Sequence, residues 1–134
     1  MDKSILIVDD EFEFHDLLRF RLQDCGYKIL HASNGTQGLN QARQHLPDVI
    51  LLDLLLPDLD GLTLCEILRR QLSTRAVPVI MISALSAELN CQAAKHAGAC
   101  AYFTKPLDFA TLKAKLAAVI AAPSAHLGTE DAGN

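Results

Sequence analysis

Apolar positions along the chain alternate between two rhythms. Short continuous apolar runs mark buried strands, and stretches with an apolar residue every three or four positions mark helices. Residues 5–8 form the first run and end in Asp9, Asp10 and Glu11. Residues 11–25 read as a helix whose apolar face carries Phe14, Leu17, Leu18, Leu22 and Cys25, and Gly26 stops it. Residues 27–31 are a less uniformly apolar strand, suited to a sheet edge. Asn34 and Gly35 turn into a helix carrying Leu39, Ala42 and Leu46, which Pro47 ends. Val49, Ile50, Leu51 and Leu52 then run straight into Asp53. Asp60 is a good N-cap for the helix with Leu64, Ile67 and Leu68, and residues 72–75 are a loop. Residues 77–82 are a fourth strand, with Pro78 tolerable near its start, and end in Ser83 and Ala84. Ser86 caps a helix through His96 that Gly98 stops. Residues 100–103 are a fifth strand ending in Thr104, Lys105 and Pro106. Asp108 caps a last helix through Ala122, with Phe109, Leu112, Leu116, Val119 and Ile120 inward, and Pro123 ends it.

Strict β-then-α alternation with buried strands predicts an α/β fold, a doubly wound parallel sheet with helices on both faces. Five strands and five helices suit the flavodoxin-like order 2-1-3-4-5, with strands 2 and 5 at the edges. In that order strands 1, 3, 4 and 5 are neighbours, and ligands bind at their carboxyl ends. Residues 1–122 read as one domain, and residues 123–134 as a flexible tail or the start of a linker.

Composition changes this picture little. The chain has 134 residues, 50% hydrophobic and 21% charged, so it is a globular domain. A net charge of -4 without a Lys/Arg block argues against nucleic acid or an anionic membrane as a direct partner. The apolar runs are too short for a membrane span and no signal peptide opens the chain, so a soluble cytoplasmic protein is expected. The cysteines Cys25, Cys65, Cys91 and Cys100 form no C-x-x-C pair, and small buried thiols are expected. The scattered histidines are expected at surface or satisfied positions.

The strand ends carry the chemistry. Strand 1 ends in Asp9 and Asp10, strand 3 in Asp53, strand 4 in Ser83 and strand 5 in Lys105. Clustered carboxylates repel, and a hard divalent cation such as Mg²⁺ relieves that. Asp10, Asp53 and the Leu55 backbone carbonyl would supply ligands, with Asp9 acting through water. Mg²⁺, Lys105 and the Ser83 hydroxyl together suit a phosphoryl group, and Asp53 is the central nucleophile for an aspartyl phosphate. No Gly-rich phosphate loop is present, which argues against a nucleotide. Each residue also has a plain structural reading. The two acids suit a helix start, Ser83 a turn, Lys105 a solvated surface and Tyr102 edge-strand packing.

The set Asp9-Asp10, the segment from Asp53 to Gly61 with Pro57, Ser83-Ala84 and Lys105-Pro106 closely resembles the receiver domain of two-component response regulators, over residues 4 to about 122. The resemblance implies a CheY-like, Mg²⁺-dependent switch. Asp53 would accept a phosphoryl group from a phosphohistidine on a sensor histidine kinase or phosphotransfer protein. Lys105 and Ser83 would contact that group, and Tyr102 would be the aromatic switch residue. The Lys105-Pro106 bond would be cis. Such a protein catalyses only its own phosphotransfer and dephosphorylation. It acts on an output partner or a fused output domain, which the sequence leaves unknown. Cys100-Ala101 before Tyr102, and a last helix with Lys113 and Lys115 but no Arg, do not fit the charge-paired dimer of one DNA-binding subfamily; a monomer or weak dimer is expected. A phosphatase of the haloacid-dehalogenase type would want a second acid at Leu55. A pure interaction module would not need the acids.

Overall fold

The computed structural model describes residues 2–121. Ten elements alternate: β1 Ser4–Val8, α1 Phe12–Asp24, β2 Lys28–Ala32, α2 Gly35–His45, β3 Val49–Leu52, α3 Gly61–Arg70, β4 Val79–Ser83, α4 Ala87–Ala97, β5 Ala101–Thr104 and α5 Phe109–Ala121. All strand pairs are parallel, in the order β2-β1-β3-β4-β5. The expected topology is the one found.

The period of two along each strand divides the core. Leu6, Val8, Ile50, Leu52, Val79 and Met81 face one side, where Ala42 of α2, Leu64 and Leu68 of α3 and Ala94 of α4 cover them. Ile5, Ile7, Val49, Leu51, Ile80 and Ile82 face the other, under Leu18 and Leu22 of α1 and Leu112 and Leu116 of α5. The central strands are therefore apolar on both faces, as a covered parallel sheet requires. The lysine-to-alanine strand β2 lies at the edge.

Some expectations shift. Pro78 precedes β4, which starts two residues later than expected. Having no N–H, Pro78 serves only as an acceptor, from the Ile50 amide at 2.9 Å. Leu46 is not on the core face of α2; it leaves the helix in the left-handed region at φ 45°, where Pro47 forbids continuation. Leu17 is 56% exposed, and Cys25 and Cys100 are exposed; of the four thiols only Cys65 is fully buried. The expected helix end at Ala122, the stop at Pro123 and the tail at 123–134 lie outside the described residues.

The inward face of α1 holds Leu18 and Leu22 as expected, with Phe14 partly buried beside them, and His15 joins them. His15 is 4% exposed, and neither ring nitrogen has a hydrogen-bond partner among the described residues. Its ring packs on His31 with centroids 3.6 Å apart, and Asp16 lies 3.7 Å from its Nδ1. Burial pushes the His15 imidazole below its ordinary pKa; His31 and Arg19 add to this, and Asp16 opposes it. The folded state therefore binds fewer protons at this group than the unfolded chain. Stability should fall as pH drops from about 6.5 through the lower folded value. His15→Leu should unfold at higher urea than the parent at pH 5. That gap should shrink toward pH 7, and a pH-independent gap in urea titrations would contradict the assignment.

Candidate functional site

The sheet ladder continues one residue past β1, β3 and β5, and this brings the candidate side chains to one edge. The Asp9 amide donates to the Ala32 carbonyl at 3.0 Å, the Asp53 amide to Val8 at 3.0 Å, and the Lys105 amide to Ser83 at 2.8 Å. A second device repeats at three strand ends. The amide two residues on donates back to the side-chain oxygen: Glu11 to Asp9 Oδ1 at 2.7 Å, Leu55 to Asp53 Oδ1 at 3.1 Å, and Leu85 to Ser83 Oγ at 3.2 Å. These turns hold the oxygens at the carboxyl edge.

Asp9 and Asp53 are 3% and 5% exposed, Asp10 is exposed, and each offers a carboxylate oxygen within 4.8 Å of the others. Lys105 reaches across the same edge. Its Nζ donates to Asp9 Oδ2 at 3.0 Å and to Asp53 Oδ2 at 3.3 Å, and it also pairs with Glu11. The ammonium lies 4.1 Å from the centre of the Phe14 ring. Burial pushes the Asp9 carboxyl above the usual carboxylate range, opposed by the Glu11 amide and Lys105. For Lys105, burial works to lower the pKa. The carboxylates of Glu11, Asp9 and Asp53 outweigh it and hold the ammonium above the ordinary lysine value. Three carboxylates thus share one cation, and the Asp10 carboxylate lies beside two of them. An oxygen-rich, under-neutralised cluster of this kind fits a hard divalent ion.

Asp9, Asp10, Asp53 and Lys105 are brought together as the sequence suggested. Ser83 is fully buried at the neighbouring strand end, bonded to the Leu85 amide rather than to the acids. The Tyr102 hydroxyl donates to the Leu85 carbonyl at 2.8 Å, so Ser83 and Tyr102 meet through one residue. The Lys105-Pro106 peptide is cis. Asp60 caps α3 at the Thr63 amide, 2.9 Å. Asp58 reaches to the start of α2, accepting from the Gly35 amide at 2.7 Å, the Thr36 amide at 3.0 Å and Thr36 Oγ1 at 2.6 Å. The Thr36 hydroxyl and these amides bring its carboxyl down to about 2. Glu11 was missed as a partner of Lys105. An acid after Asp9-Asp10 reads as one more helix-start charge, and no local signal distinguishes it.

The family model for the response regulator receiver domain matches residues 5–117. The chain belongs to this family. Among curated relatives, this receiver is 36% identical to the alkaline phosphatase synthesis transcriptional regulatory protein PhoP of Bacillus subtilis, over 98% of the chain and 56% of that protein. It is 38% identical to protein PilH of Pseudomonas aeruginosa, over 87% of the chain and 97% of PilH. Among solved structures it resembles the receiver domain of the Pseudomonas aeruginosa sensor histidine kinase PA1611, which has a magnesium ion coordinated in its active site cleft. That match has a TM-score of 0.84 and 29% identity, and covers 91% of this chain and 100% of the other. The chain spans about half the length of several curated relatives it matches. Receiver domains are signalling switches that work with histidine kinases or phosphotransfer proteins, and they generally bind Mg²⁺ at an acidic cluster. No helix among the described residues is long and apolar enough to cross a membrane.

Proposed function

We propose that Asp53 is the phosphoryl acceptor of this receiver, within a domain of residues 1–122 followed by a tail or linker start at 123–134. The observation that carries the reading is the convergence of Asp53 with Asp9, Asp10 and Lys105, whose Nζ lies 3.3 Å from Asp53 Oδ2. An Asp53 oxygen attacks phosphorus, and the bond from phosphorus to the donor histidine nitrogen, or to the acetate oxygen of acetyl phosphate, breaks with its electron pair. An ionised carboxylate needs no base for this. Asp10, Asp53 and the Leu55 carbonyl would hold Mg²⁺, with Asp9 acting through water. Mg²⁺ supplies positive charge against the acids and the phosphoryl oxygens. Lys105 donates to one phosphoryl oxygen. Ser83 donates to another, giving up the Leu85 amide, and through the Leu85 carbonyl this releases Tyr102. The face around Tyr102 then changes its affinity for an output partner as a two-state population shift.

The partners under this reading are a sensor histidine kinase or phosphotransfer protein, and an output protein or fused output domain. The receiver works in the cytoplasm as a monomer or weak dimer, without binding nucleic acid or membrane, and catalyses only its own phosphotransfer and dephosphorylation. Acetyl phosphate with Mg²⁺ should add one phosphoryl group by intact mass, and EDTA should slow this on the order of a hundredfold. Equal labelling rates with and without Mg²⁺ would overturn the metal assignment.

A further inference from the structure

An ammonium has three N–H donors. In this structure the three carboxylates bonded to Lys105 are those of Asp9, Asp53 and Glu11. An arriving phosphoryl oxygen can bond Lys105 only by displacing one of them. Asp9 and Asp53 are buried at strand ends, and Asp9 is further fixed by the Glu11 amide. Glu11 is different: it is 62% exposed on its side chain, and that side chain has no other partner among the described residues. It can swing into water at little cost.

We infer that Glu11 is a positioning residue that holds Lys105 in the resting state and releases it as the phosphodonor arrives beside the still-ionised Asp53. This rests on Asp53 being the acceptor. Glu11 acts through Lys105 and does not touch the reacting atoms. Its carboxylate competes with the phosphoryl oxygen for one donor, so it raises the phosphodonor concentration needed to switch the domain. The effect belongs to binding more than to the bond-breaking step.

The test compares the parent, Glu11→Gln and Glu13→Gln, labelled with acetyl phosphate and Mg²⁺ over a range of donor concentrations. Glu13 is exposed in the first turn of the same helix and has no ion pair among the described residues, so it controls for loss of one negative charge. Glu11→Gln should lower the half-saturating concentration about two- to fivefold, the range of an exposed ion pair, with little change in maximal rate. Glu13→Gln should match the parent. Without metal or donor, the Lys105 ammonium protons, followed by ¹⁵N NMR, should exchange with water faster in Glu11→Gln. Labelling of the parent with an unchanged or raised half-saturation in Glu11→Gln would overturn the role of Glu11 alone. So would the same gain in Glu13→Gln, or unchanged proton exchange. A parent that takes no label would remove the Asp53 reading and this role with it.

Discussion

Asp53→Asn should reduce phosphoryl incorporation from acetyl phosphate and Mg²⁺ to background. The amide matches the carboxylate in size but is not a usable nucleophile toward phosphorus. The neighbouring acids do not readily take its place. Asp9 is held on one oxygen by the Glu11 amide and on the other by Lys105, and Asp10 is exposed to water. The fold should survive, because the change removes one of three negative charges crowded around a single ammonium. Relief of that repulsion should leave the thermal midpoint equal or higher. Intact mass and a circular dichroism melt on the same sample separate the two effects. Full labelling of the variant would move the nucleophile elsewhere.

Gly61→Ala should damage stability and the site together. A Cβ at Gly61 would lie 2.3 Å from the Asp53 carbonyl oxygen, 2.8 Å from Leu54 Cα and 3.0 Å from the Asp53 carbonyl carbon. All three are backbone atoms, so no side-chain rotation can make room. The Gly61 amide also donates to the Leu54 carbonyl at 2.9 Å, which ties the start of α3 to the loop after β3. An alanine must separate the two, costing about 2 kcal/mol or more, and the shift falls on Asp53, the proposed acceptor. Urea unfolding should move to a clearly lower midpoint, and the labelling rate should fall with it. A variant with the parent's midpoint would mean that α3 does not approach Asp53 this closely.

The fold was legible because every central strand is apolar on both faces. Val49 to Leu52 and Val79 to Ile82 admit few readings other than covered parallel strands. The core of the site was legible for a related reason: Asp9, Asp53 and Ser83 each follow directly on an apolar run and Lys105 lies one residue beyond one, so topology alone brings them to one edge. What was not legible depends on contacts between distant segments. His15 is a polar residue whose inward direction is set by how α1 rotates onto the sheet. Asp58 caps a helix that precedes it by more than twenty residues. The need for glycine at position 61 comes from the approach of another backbone, and Glu11 finds its partner 94 positions away.

The account stands most directly on the identity of the phosphorylated residue. Protein labelled with acetyl phosphate and Mg²⁺ can be reduced with borohydride, which converts an aspartyl phosphate to homoserine, and then mapped by peptide mass spectrometry. The account predicts homoserine at position 53 and nowhere else. Homoserine at Asp9 or Asp10, or a stable phosphoryl group on a histidine or serine, would contradict it.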